Sequence, residues 1–170
     1  GPKRDLYGEL VTAFRERGLR ISATFHHMRT FDWYLPGSGN LGEAPPESDV
    51  EQGRREGWDL FDPEYADLYG NSFTGKYEDF LEEWKAKITE VFDRYQPDLT
   101  WFDGGRFREG LAQDAVCTVL AHYFNRSLEW GKGVTVLNKL PTTMRFNFPR
   151  ELGVMTFEQG RDRLPGIERP

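Results

Sequence analysis

Cysteine is nearly absent: Cys117 stands alone among 170 residues. No intrachain disulfide can form, and cysteine usage says nothing about the redox compartment. Long apolar runs are also missing. No stretch approaches the ~18 residues that suggest a membrane-spanning helix, and no signal peptide opens the chain. Positive charge is scarce, with 22 Lys and Arg against 28 Asp and Glu and a net charge of −6. Without a basic run, nucleic acid is not an expected partner. Of the three histidines, His26 and His27 are adjacent. Neighbouring side chains on a strand face opposite ways, so the pair does not easily chelate one ion, and His-x-x-x-His spacing is lacking. There is no Ser-centred nucleophile elbow and no phosphate loop. No metal and no organic cofactor is expected.

Aromatic residues are plentiful: 13 Phe, 7 Tyr and 5 Trp make up 15% of the chain. Such residues stack on sugar faces and also fill cores, the commoner use. The length suits a single domain over 1–170 with a real core. Residues 5–17 read as an amphipathic helix with Leu6, Leu10, Val11 and Phe14 inward, stopped by Gly18. A β-rich stretch, 19–25, follows and runs into His26-His27. Residues 35–64 are rich in Gly, Pro and acids and read as a long surface loop, with a short helical turn near 65–69. Residues 77–95 form the clearest helix, with Phe80, Leu81, Trp84, Ile88, Val91 and Phe92 in one stripe. A second long helix spans about 111–128, with Val116, Val119, Leu120, Tyr123, Phe124 and Leu128 inward and Cys117 expected as a small buried residue. A strand at 134–138 leads to Asn138-Lys139. The remainder has little periodicity, with a short extended piece near Met155-Thr156-Phe157-Glu158. No tandem repeat is found.

The most informative stretch is Tyr95-Gln96-Pro97-Asp98-Leu99-Thr100-Trp101-Phe102-Asp103-Gly104-Gly105. A helix stops at Pro97, a short apolar strand follows, and an acid with two glycines closes it. The order describes either a plain Asp-Gly turn or a carboxylate at a strand's C-terminal tip, where α/β folds place their chemistry. Alternating helices and strands predict parallel strands, with strands 19–25, 98–103 and 134–138 adjacent. Three strand ends, His26-His27, Asp103 and Asn138-Lys139, would then share one edge. Glu158 offers a second carboxylate, and a carboxylate pair can hydrolyse glycosides.

Residues 95–105 closely resemble the nucleophile segment of family 29 α-L-fucosidases, in which a Tyr-x-Pro-Asp phrase leads into a Trp-Phe-Asp-Gly strand. Arg4-Asp5-Leu6 through Gly18-Leu19-Arg20, Phe25-His26-His27 and Asp32-Trp33 resemble the preceding helix–strand unit. Val136-Leu137-Asn138-Lys139 resembles the following strand, and Met155-Thr156-Phe157-Glu158 the acid/base segment. The resemblance, over about residues 2–166, implies part of a (β/α)8 barrel and retaining hydrolysis of terminal α-L-fucosides. It implies Asp103 as nucleophile, Glu158 as acid/base, and His26, His27, Trp33, Trp101, Asn138 and Lys139 around the sugar, with one of the two histidines touching fucose. The family's Arg near this Asn is replaced here by Lys139. Its compartments suggest an extracellular, periplasmic or lysosome-like setting.

The sequence reads as a central slice of the family's barrel, lacking the upstream His-His-Asp-Gly-Phe segment. Its open sheet edges are therefore expected to self-associate. The expected partner is a fucosylated glycan, with no membrane. The reading from another class is a non-catalytic barrel fragment or carbohydrate-binding module without turnover.

Overall fold

The computed structural model describes residues 3–37, 45–102, 111–139 and 153–156. Helix α1 spans Leu6–Arg15 and is capped by Asp5, whose carboxylate accepts from Gly8 N–H at 2.9 Å. The chain then turns at Gly18, which has φ +73°, and enters β1, Ser22–Phe25. Within the 35–64 stretch a helix forms, α2, Glu47–Glu56, ended by left-handed Gly57. A one-turn helix α3, Ala66–Tyr69, follows. Helix α4 covers Tyr77–Tyr95, β2 Leu99–Phe102, α5 Leu111–Glu129 and β3 Thr135–Lys139. A fourth strand, β4, Gly153–Thr156, takes up the start of the expected extended piece.

The strands lie in the order β1-β2-β3-β4, every neighbouring pair parallel. Sequential parallel strands with helices packed outside are the arrangement of a (β/α) barrel, here a four-strand part of one. The register sets two rows across the sheet. Ala23, Thr100, Val136 and Gly153 align in one; Thr24, Trp101, Leu137 and Val154 align in the next. Alternation puts these rows on opposite faces. The first row, together with Phe25 and Phe102, belongs to the helix-covered side. A Cβ at Gly153 would come within 2.5 Å of the Val136 carbonyl oxygen, which is why glycine stands there.

The core lies between this face and the two long helices. Phe80, Leu81, Trp84, Ile88 and Phe92 of α4 meet Ala115, Val116, Val119, Leu120 and Tyr123 of α5, with Met28, Phe102 and Val136 beneath. Phe92 and Tyr123 stack with centroids 4.3 Å apart. Each fully buried side chain of this size contributes about 1.5–3 kcal/mol of burial. In α5, Leu128 is exposed, contrary to its inward expectation, and Ser127 is buried instead, its Oγ donating to Phe124 O. Cys117 is exposed too, because the buried face follows 115, 116, 119, 120, 123 and 127. The α1 stripe also differs: Val11 is buried while Leu6, Leu10 and Phe14 are about half exposed.

At the N-terminal ends of the strands a polar clasp joins the elements. Asp98 accepts from Ile21 N–H and from Lys132 Nζ, at 2.8 and 2.9 Å. Lys132 also donates to Gln96 O, and Arg15 donates to Tyr95 O and Gln96 O. Buried Tyr123 donates to Pro97 O at 2.9 Å. Gln96 takes a left-handed φ of +45°, ending α4 just before the proline.

Candidate active site

At the opposite edge of the sheet β1 and β2 end side by side. Phe25 and Phe102 are register partners. Each is the last residue of its strand, and His26 and Asp103 are the residues that follow them in sequence. Asp103 and Glu158 both lie outside the described residues, and so does the separation of their carboxyl groups. Asn138 and Lys139 end β3, their backbones paired with Met155 and Thr156.

The two histidines part ways immediately. β1 ends at Phe25, so neither belongs to the strand. His26 is exposed and precedes a 3-10 turn, His27–Arg29. Thr30 closes that turn, donating both N–H and Oγ1–H to His27 O at 3.0 and 2.7 Å. Met28 is thereby buried in the core. His27 is half-buried against α4, with its ring 6.3 Å from those of Phe80 and Trp84. Its Nε2 is buried without a hydrogen-bond partner. Burial pushes the imidazole pKa below its ordinary value, and Lys87 lowers it further, with Glu83 opposing.

Trp33 is 44% exposed and follows Asp32, a non-glycine residue at φ +61°. Asp tolerates this region better than most residues. Here it is held from both sides: Asp32 N–H donates to Gly70 O at 3.0 Å, and Ser72 N–H donates to Asp32 Oδ1 at 2.7 Å. These bonds clamp the two ends of the excursion between β1 and α4. Trp101, in the middle of β2, is half-buried and falls on the sheet face opposite Thr100 and Phe102.

Sequence reasoning overlooked Asn71. It is buried, donates to Leu60 O at 2.9 Å, and accepts from Phe73 N–H and Thr74 N–H. One side chain thus satisfies three backbone groups that a turn would leave unpaired, and the Gly70-Asn71-Ser72 sequence was its available signal.

A cavity of about 440 Å³ lies elsewhere, against Asp5, Gly8, Arg15, Arg94 and Tyr95. Its polar groups are already engaged with one another. Tyr95 Oη reaches both Asp5 oxygens at 2.8 Å, and Arg94 reaches Asp5 at 3.1 Å. The Asp5 pKa is held low by Gly8 N–H first and the Tyr95 hydroxyl second. This is a helix-end junction rather than a substrate pocket. Among the described residues no group of three His, Cys, Asp or Glu side chains is placed to hold a metal, and no helix is long and apolar enough to cross a membrane.

Comparison with known proteins adds one finding. A family model described as Alpha-L-fucosidase matches residues 1–157. Asp103 lies within that span, and Glu158 is the residue immediately after it. A search of curated proteins finds no match.

Proposed function

The chain belongs to the alpha-L-fucosidase family, glycoside hydrolases acting on α-L-fucosides, and on that premise we propose that it contributes Asp103 and Glu158 to retaining hydrolysis of a terminal α-L-fucoside. Asp103 attacks the anomeric carbon while the glycosidic C–O bond breaks and Glu158 gives its proton to the leaving oxygen. Glu158 then takes a proton from water, whose oxygen attacks the anomeric carbon. Fucose is released and Asp103 is regenerated as carboxylate. The observation that carries this reading is the pairing of Phe25 with Phe102 at the ends of two adjacent parallel strands. Both strands end there, on the edge where barrels hold their chemistry, and His26 and Asp103 are the next residues in the sequence.

His27 packs against α4, so we assign the sugar contact to exposed His26. Trp33 and Trp101 supply apolar walls, and Asn138 and Lys139 polar contacts from the next strand end. The test is turnover of an aryl α-L-fucoside. Asp103→Ala is expected to abolish it, with azide restoring part of the rate and yielding a fucosyl azide. Full activity of the variant would overturn the assignment.

The open edges support a second part of the proposal. Among the described residues β1 pairs only with β2, and β4 only with β3. Backbone groups on the outer sides of β1 and β4, which pair with no strand among the described residues, are templates for further strands, and self-association through them is expected in light scattering. A monodisperse monomer would refute it.

A further inference from the structure

The excursion between β1 and α4 carries chemistry that bond cleavage does not use. Over residues 45–76, eight Asp and Glu stand against three Lys and Arg, most of the chain's net charge of −6. The same excursion exposes five large aromatic side chains, Trp33, Tyr34, Trp58, Tyr65 and Phe73, between 38 and 55%. The helices α4 and α5, by contrast, expose a single large hydrophobic residue, Leu128, among those described. Buried aromatics are explained by a core; this group is not.

The excursion begins where β1 ends, on the edge assigned to the reaction. The Asp32 bonds to Gly70 and Ser72 bring its two ends together. Tyr34 and Tyr69 flank that clamp and meet edge to face at 5.5 Å. Tyr34, at 55% exposure, has an accessible ring held by its neighbour. Flat exposed rings accept the C–H face of a pyranose, and carboxylates accept its hydroxyl protons. The same carboxylates repel an anionic sugar, an effect that reaches about 8 Å at physiological ionic strength and shrinks as salt is added.

We propose that residues 30–37 and 45–76 of this excursion form a glycan-binding rim for the uncharged sugar residues beyond the fucose, with Tyr34, braced edge to face by Tyr69, as its stacking ring and its acids disfavouring sialylated or sulfated glycans. The location of the fucose rests on the hydrolytic reading above; the affinity of the rim for sugar does not.

The test separates the two. Turnover is measured on an aryl α-L-fucoside, on 2′-fucosyllactose and on a fucosylated sialyllactose. Binding of lactose and 3′-sialyllactose, which contain no fucose, is followed by NMR titration. Tyr34→Ala is expected to weaken lactose binding and raise KM for 2′-fucosyllactose about 3–10-fold, with kcat/KM on the aryl fucoside unchanged. Tyr34→Phe, which keeps the ring, is expected to behave as the parent, and this controls for folding. The parent is expected to prefer neutral over sialylated ligand, and Glu64→Gln with Asp67→Asn, or 0.5 M salt as an order-of-magnitude choice, is expected to narrow that preference. Equal lactose binding by the parent and Tyr34→Ala, or a preference insensitive to salt, overturns the proposal. Absent turnover of the aryl fucoside with Tyr34-dependent lactose binding would defeat the hydrolytic reading and leave the rim standing.

Discussion

At the N-terminal edge of the sheet, Asp98, Lys132, Arg15 and Tyr123 tie β1, β2 and the two long helices together through hydrogen bonds to backbone groups and to one another. At the C-terminal edge, His26 is exposed, His27 buries an Nε2 without a partner, and Asp32 sits at positive φ among exposed aromatics. The N-terminal edge engages its polar groups in contacts between elements; the C-terminal edge leaves His26, Trp33 and Tyr34 exposed at the surface. Barrel folds divide stability and chemistry between their two ends in the same way. The difference also explains why two aspartates five residues apart, Asp98 and Asp103, are read so differently.

The sharpest way to break this comparison is to alter both. Asp103→Ala is expected to reduce aryl fucoside turnover by 10³-fold or more, an order of magnitude taken from nucleophile removals, while leaving the thermal midpoint nearly unchanged. Asp98→Ala is expected to do the reverse. It removes the acceptor of Ile21 N–H and of Lys132, at a cost of about 2–3 kcal/mol in urea denaturation, with activity per folded molecule preserved. If Asp98→Ala abolished turnover in protein that remained folded, the division between edges would fail. Acid should act on the same contact. Burial opposes the Asp98 charge, but Ile21 N–H and Lys132 outweigh it and hold the folded pKa low. That stability is present above the ordinary carboxylate value and is lost as pH falls through the folded one.

Smaller effects sharpen the picture. Tyr123→Phe removes the donor to Pro97 O and is expected to cost about 1 kcal/mol, read from the denaturation midpoint. Thr100 is fully buried on the helix face, and its Oγ1 has no hydrogen-bond partner. Thr100→Val keeps the shape and should stabilise by about 1 kcal/mol; a loss of stability would mean that the hydroxyl is satisfied. His27→Phe gives the smallest change. With its folded pKa depressed, His27 binds fewer protons folded than unfolded, so the parent loses stability as pH falls below the ordinary histidine value of ~6.5. The variant should flatten that slope between about pH 7 and 5, a difference of about 1–2 °C in Tm. Equal slopes would reject it.

The sequence made the central layers legible because there one side of each element is buried without interruption. Phe80, Trp84, Ile88 and Phe92 recur at helical spacing and are buried as the pattern requires. The parallel pairing of β1, β2 and β3 followed from alternation of elements alone. Legibility failed where hydrophobicity and burial separate. Leu128 is apolar yet exposed, and Ser127 is polar yet buried because it satisfies its hydroxyl within its own helix. The α2 helix buries only Val50 and Gly53, too little apolar signal to stand out from its charged surroundings. At the site, strand alternation sets His26 and His27 apart in the sequence, whereas both lie beyond the strand, His26 exposed and His27 half-buried in a turn. Asp98 looked like part of a motif, and its bonds to Ile21 and Lys132 are contacts across the fold that no local pattern contains.

The long excursion has a consequence for how the chain folds. Ser22 must find Leu99 across 77 residues, whereas Leu99 finds Thr135 across 36. Loop-closure entropy grows only with the logarithm of length, so this doubling costs about 0.6 kcal/mol. The rate is more sensitive than the equilibrium, because that entropy is lost before the strand contacts reward it. The pairing of β2 with β3 is therefore expected to precede the docking of β1, which closes the sheet late. An insertion within the excursion would slow this last step while changing final stability little, so the length of the segment is free to vary at small energetic cost.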